Sequence, residues 1–412
     1  MPKDGTSNSL RTLRALASSD RPLDLNGGGP TLDGSDSRTA APRRAIASLG
    51  ALRSDSSARW LFIWPAVLVV LFLSIFPLVV SVTLSITHLV FQKGHIQADL
   101  VGLTNYTTLL FGTERNHFLG VLKTPTPIGW LLLAAGVGGT LRALAGSLRN
   151  RPPSAAGLIL RLLASVLVGG FLWLLVSTLF SEGGRPGAVV VTFIYVFVGI
   201  SVQYLIGLGL AVLAVQRLAG RRFFRVVFLI PLTITPVGVG YMFKMMTDTG
   251  KGPFEPVWAA LGLTHFTWVT DPWAARVAVM IGDAWQWIPF MFIVLLAALE
   301  GQDQEVQEAS LVDGASRWQT FRHISMPAIV PVSTTIILIR MIESFKIIDM
   351  PNILTGGGPG TATQSLTLES YLDWRTLNLG RSAAIAYLLL VIVTVAATMY
   401  LGFVRRRATV AA

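Results

Sequence analysis

Eight apolar runs, most of them near the roughly 20 residues that cross the hydrocarbon of a bilayer, constrain this chain more than any other feature. They lie at 60–86, 128–147, 157–180, 188–215, 223–246, 275–299, 327–348 and 383–404. Backbone in hydrocarbon must satisfy its own N–H and C=O groups, so runs of this length become helices. With 52% hydrophobic and 13% charged residues and a mean hydropathy of +0.61, the bilayer must serve as solvent for much of the surface. The expected fold is all-α and polytopic.

Charge orients the spans. A net charge of +11 could suggest a nucleic-acid partner, but most of the Arg residues lie beside the apolar runs, where they set topology. Arg43, Arg44, Arg53 and Arg59 place the N-terminus inside, and Arg142, Arg149, Arg151 and Arg161 form the next basic cluster. Arg217, Arg221, Arg222 and Arg225 follow, then 300–326 and the terminal Arg405, Arg406 and Arg407. The loops 87–127, 247–274 and 349–382 are poorer in Arg and richer in Gly, Pro, Thr and Asn. Eight spans, N-in and C-in, satisfy every cluster. The run 128–147 is the marginal one, carrying Gly136, Gly138, Gly139 and Arg142, yet parity requires that it and 157–180 cross together. No nucleic-acid partner is expected; membrane lipid is.

Residues 1–58 are rich in Gly, Ser, Asp, Arg and Ala without apolar periodicity, and are expected to be a disordered cytoplasmic tail, not a cleaved signal peptide. Cysteine is absent, which excludes disulfides and thiolate chemistry. The scattered His residues form no H-E-x-x-H cluster, so no metal site is expected. A phosphate-binding G-x-x-x-x-G-K-[ST] loop is also missing, so the chain is not expected to hydrolyse ATP or to act as an enzyme.

One connection between spans is unusual. Glu305 to Val312 is a run of helix formers, Gly314 can take the positive φ that ends a helix, and Ser316 with Gln319 has capping-box spacing. Pro327 then opens the next apolar run where a helix tolerates it. The spelling predicts a helix–turn–helix on the membrane surface.

The segment 308–327, E-A-S-x-x-D-G-A-(x5)-F-(x2)-I-S-M-P, resembles the E-A-A loop of sugar-type permeases of binding-protein-dependent ABC importers. Ser310 replaces the usual second Ala and Met326 the usual Leu. Gly102–Tyr106 (G-L-T-N-Y), Gly220–Arg225 with Pro231 and Pro236, Trp285–Phe290 and Leu354–Gly360 are similar to further segments of that family, in its maltose-permease branch. The resemblance covers 60–122 and 190–406 and implies a six-helix type I importer core. It also implies a heterodimer with a second permease, two ATPase subunits that hold ATP and Mg, and an external solute-binding protein in a bacterial or archaeal cytoplasmic membrane. No cofactor is expected in this chain. Residues 123–187 have no counterpart in the six-helix family and are expected to be an inserted transmembrane hairpin. The expected divisions are thus 1–58, 59–122, 123–187 and 188–412, with the coupling loop at 303–327.

The resemblance assigns ATPase coupling to Glu308, Ala309, Asp313, Gly314, Ala315 and Phe321. Carried over without gaps, the sugar contacts of the maltose permease fall on Asp283, Trp287 and Phe290 in the sixth span. In the seventh they fall on Glu343, Ser344 and Ile347. Carboxylates accept hydrogen bonds from hydroxyls and flat rings cover a sugar face, so a neutral carbohydrate or polyol is expected. In the seventh span Arg340, Glu343, Lys346 and Asp349 alternate in sign at a spacing of three. They can neutralise one another or border a water-filled cavity, and the sequence leaves both open. The alternatives are a secondary transporter or channel, for which no internal repeat is visible, and import of another polar solute such as glycerol phosphate. A membrane enzyme such as a glycosyltransferase is a further alternative, for which the polar loops show no paired carboxylates or metal-binding cluster.

Overall fold

The computed structural model describes residues 40–92, 95–150, 155–216, 220–263 and 267–411. It divides into two units, 1–73 and 74–412. In the first, helix α1 (Ala40–Ser85) begins and runs on across the boundary. The expected tail falls outside the described residues up to residue 39. From Ala40 it is helical, which corrects the expectation of irregular chain to residue 58. Ala and Arg there are strong helix formers, and Pro42 sits in the first turn, where its missing N–H costs nothing.

The second unit contains several short elements and the remaining helices. After α1 come a hairpin of β1 (Thr87–Gln92) and β2 (His95–Leu100), paired antiparallel, then α2 (Thr104–Leu110) and α3 (Arg115–Phe118). The long helices are α4 (Pro127–Asn150), α5 (Ala155–Leu179) and α6 (Ala188–Val215, with one wide π turn at Tyr195–Gly199). Next are α7 (Arg221–Thr233), α8 (Pro236–Thr247), the short α9 (Glu255–Ala260) and the long α10 (Pro272–Glu300). The chain closes with α11 (Gln304–Val312), α12 (Arg317–Phe345), α13 (Leu366–Arg375) and α14 (Leu379–Ala411).

Seven helices among the described residues are long and apolar enough to cross a membrane, and eight if α7 and α8 count as one broken span. The run 223–246 is not the straight helix its hydropathy predicts, because its halves are bent by 98°. Pro236 excludes the helical conformation from the residue before it, and Thr235 is extended (ψ 143°) and caps α8 through Gly238 N. The carbonyl of Ile234, released from the helical ladder, accepts from Gln286 Nε2 at 3.0 Å. The bend is thereby tied to α10.

Burial shows which helices make the protein core. In α6 and α10, 56% of the span is buried and in α12 33%, against about a tenth in α4, α5 and α14. Val196, Ile200, Leu208, Met291, Phe292, Leu295, Ile329, Ile336 and Phe345 form the main cluster. Gly207 makes the closest approach possible: a Cβ there would lie 2.6 Å from Met291 Cβ. Helices α4 and α5 are mostly uncovered, with the Phe171 ring of α5 tilted against Phe193 of α6, centroids 4.1 Å apart. Their root is closed by a two-residue ladder, Gly120–Val121 against Arg185–Pro186.

Candidate functional sites

At the far end of α10 lies the connection the sequence singled out. Asp303 caps α11 through Glu305 N, and Gly314 takes φ +81° just past its end. The capping box forms in both directions: Ser316 N donates to Gln319 Oε1 (2.8 Å) and Gln319 N to Ser316 Oγ (3.3 Å). The second helix is not a separate surface helix, which corrects the helix–turn–helix expectation. It continues from Arg317 without interruption into the seventh span. A π turn at Phe321–Ser325 precedes Pro327, and such a turn accommodates the carbonyls that lose a proline N–H partner. The turn itself is braced by Ser310 Oγ against Thr320 Oγ1 (2.9 Å) and by Gln302 Nε2 donating to Ser325 O (2.9 Å).

Of the residues assigned to coupling, Glu308, Ala309, Asp313 and Gly314 are exposed, whereas Ala315 and Phe321 are half-buried, with Phe321 packed on the main core. Val306, Leu311, Val312 and Trp318 add apolar side chains exposed on the same segment, Val312 at 87%. A polar helix that presents such residues to solvent is a surface suited to a protein partner. Arg225 of α7 pairs with Glu300 at the end of α10, so the basic start of α7 and the coupling segment share one face.

Five of the six residues assigned to substrate lie in α10 and α12. Ile347 falls just past the end of α12 at Phe345, which corrects its expected place in the seventh span. By burial the six separate into two groups. Asp283, Ser344 and Ile347 are buried, whereas Trp287, Phe290 and Glu343 are partly exposed. Asp283 is not an open acceptor. Gln203 Nε2 of α6 donates to its Oδ2 at 2.8 Å, the Arg340 guanidinium of α12 binds the same oxygen, and Arg340 Nε donates to Gln203 Oε1 at 2.8 Å. Three spans are thus joined by a closed triangle, with Arg340 only 1% exposed.

The partner of Arg340 is therefore across the helix interface and not Glu343 beside it. Glu343 pairs instead with Lys346 (2.8 Å), and both are well exposed. The Arg340 guanidinium also lies 4.4 Å over the Trp287 ring, whose edge-on neighbour at 6.1 Å is Phe290. Ser344 Oγ is buried without a hydrogen-bond partner among the described residues. Ile347 packs in an apolar cluster with Met350 and Leu354. Gln203, fully buried, was not singled out from sequence. A lone amide within the apolar run 188–215 was the available signal, since a buried amide must find partners.

The loops between spans are pinned by backbone groups. Asn105 Nδ2 donates to Ser85 O (2.9 Å) and Thr87 O (3.0 Å), and Tyr106 Oη to Ser85 Oγ (2.9 Å), which explains the G-L-T-N-Y segment as a clasp on the end of α1. Arg276 Nε donates to Ala362 O (2.7 Å) and Tyr195 Oη to Thr363 O (3.1 Å), holding the Gly-rich loop against α10 and α6.

With this geometry in place, residues 203–409 match the family model described as the binding-protein-dependent transport system inner membrane component. The chain belongs to that family. This permease is 33% identical over 217 residues to the trehalose/maltose transport system permease protein of Thermococcus litoralis, covering 53% of this chain and 74% of that one. It is 29% identical to the probable starch degradation products transport system permease protein of Thermoanaerobacterium thermosulfurigenes, over 48% of this chain and 68% of that one. Its fold is similar to a chain in the crystal structure of a bacterial ABC transporter involved in the import of the acidic polysaccharide alginate. The TM-score is 0.54 and the identity 19%, over 86% of this chain and 99% of that one. The protein is therefore a multi-pass membrane subunit of an ABC import system, a permease and not an enzyme.

Proposed function

We propose that this permease carries a neutral carbohydrate or polyol across a bacterial or archaeal cytoplasmic membrane. It would do so beside a second permease, above two ATPase subunits that bind ATP and Mg, and below an external solute-binding protein. The observation that carries this reading is the α11–Gly314–α12 segment. It offers exposed acidic and apolar side chains to a partner, while its two ends are continuous with α10 and α12. Both of those spans bear the substrate residues, so a push on α11 shifts them together.

The neutralised Asp283 sharpens the substrate site. With Arg340 and Gln203 holding that carboxylate, the accessible part is the Trp287 and Phe290 rings and the Glu343 carboxylate. Rings with an acceptor suit a sugar ring and its hydroxyls. Similarity to the trehalose/maltose and starch-product permeases supports the same class. Residues 123–187 are read as an inserted hairpin, supported by the ladder that closes its root. Affinity purification of the chain from its native membrane, in a mild detergent, tests the assembly. An ATPase subunit and a second permease are expected to copurify. Isolation of the chain alone, with uptake that survives ATP depletion and collapses with an ionophore, would favour a secondary transporter.

A further inference from the structure

On the side of the molecule away from the coupling segment, a cavity of about 460 Å³ opens between three stretches of chain. Lys244, Thr247 and Asp248 come from the end of α8, Thr267 and Trp268 from the lead-in to α10, and Asn352 and Thr355 from the turn beyond α12. Its volume lies in the range of small-ligand sites, about 300–1,000 Å³. The lining mixes donors and acceptors of both signs with one indole. The Lys244 ammonium has no ion pair among the described residues, and the Asn352 amide no side-chain hydrogen bond among them. Asp248 keeps one oxygen, Oδ1, on Gly250 N and Lys251 N (both 3.0 Å). One ammonium and one carboxylate leave the cavity without formal net charge. Amide, carboxylate and ammonium together can both give and receive hydrogen bonds from vicinal hydroxyls.

We propose that this cavity is an outer sugar subsite, occupied by the carbohydrate before it reaches the rings of Trp287 and Phe290. The inference rests on the carbohydrate reading above and extends it. The cavity's walls include the chain just before α10 and just beyond α12, two spans whose other ends are joined through α11. Movement of α11 therefore changes the cavity as well as the buried site, so the subsite empties in step with the transport cycle.

The absence of cysteine makes the test direct. The importer is assembled in nanodiscs with its partner permease and ATPases, carrying Asn352→Cys, or Thr113→Cys on an exposed loop as control. Labelling by a charged methanethiosulfonate is followed on the corresponding peptide by mass spectrometry, with trehalose, maltose or betaine at matched osmolarity. Once sugar fills most sites, labelling at 352 is expected to slow about fivefold or more by mass action, with 113 and the betaine arm unchanged. Should Asn352→Cys not assemble, exposed Lys244→Cys serves in the same way. The same particles, moved to liposomes, are assayed for ATP-driven uptake. Uptake of a sugar that gives no protection overturns the subsite alone. Protection by the solute-binding protein without sugar also overturns it, marking a docking pocket instead. If neither sugar is taken up nor protects, the carbohydrate reading and this inference fall together.

Discussion

At the scale of single residues, the least expected group is Glu369 of α13, which lies outside the membrane-spanning segments. It is buried, and its Oε2 has no hydrogen-bond partner among the described residues. Burial, then the neighbouring charge of Asp373, pushes its carboxyl up to about 8, with Arg381 opposing and Glu114 adding to the rise. Arg381 meanwhile binds Asp373 through two nitrogens and Glu114 at 2.8 Å, so its charge is already taken up by two carboxylates and acts on Glu369 only at a distance. The folded protein holds the Glu369 proton more tightly than the unfolded chain does. Its stabilisation is therefore complete below the ordinary carboxyl value of 4.5 and is lost as pH rises through about 8. Thermal unfolding in detergent should show the wild type losing stability between those limits. Glu369→Gln, permanently neutral, should lose less and be the more stable form above pH 8. An identical pH dependence in both would show that Glu369 does not titrate in this window.

At the scale of elements, the sequence was most informative where one local rule decided the outcome. Apolar length placed the spans, and Gly314 with the Ser316–Gln319 box predicted a cap that forms as spelled. It was least informative where partners lie on different helices. The alternating charges of α12 suggested pairing along one helix, which Glu343 and Lys346 fulfil. Arg340 instead crosses to Asp283 and Gln203, residues 57 and 137 positions away, and no periodicity reports a contact of that kind. The bend after Thr233 was written in Pro231 and Pro236, but hydropathy averaged over the run concealed it.

The triangle of Gln203, Asp283 and Arg340 also makes a testable element-scale claim. Removing one member of a buried ion pair leaves an uncompensated charge and typically costs about 3–5 kcal/mol. Arg340→Met should therefore lower the unfolding temperature markedly, and adding Asp283→Asn should recover much of the loss. Strictly additive effects would mean that the two groups are not coupled.

At the scale of the whole molecule, α6, α10 and α12 form a packed interior, while α4 and α5 remain largely uncovered. That division suits the proposed mechanism, in which α10 and α12 move as a tied unit and the hairpin is peripheral to them. The coupling segment is the only place where α10 and α12 are joined in sequence, so a force applied there must act on both. Gly314 holds φ +81°, a conformation that the proline ring forbids. The decisive measurement is ATP-driven uptake of radiolabelled trehalose and maltose by proteoliposomes holding the assembled importer with wild-type chain or Gly314→Pro. The wild type should import sugar only with ATP. The variant should insert and bind the loaded solute-binding protein as before, yet import nothing above the ATP-free background. Import by Gly314→Pro at the wild-type rate would contradict the coupling role on which the account rests.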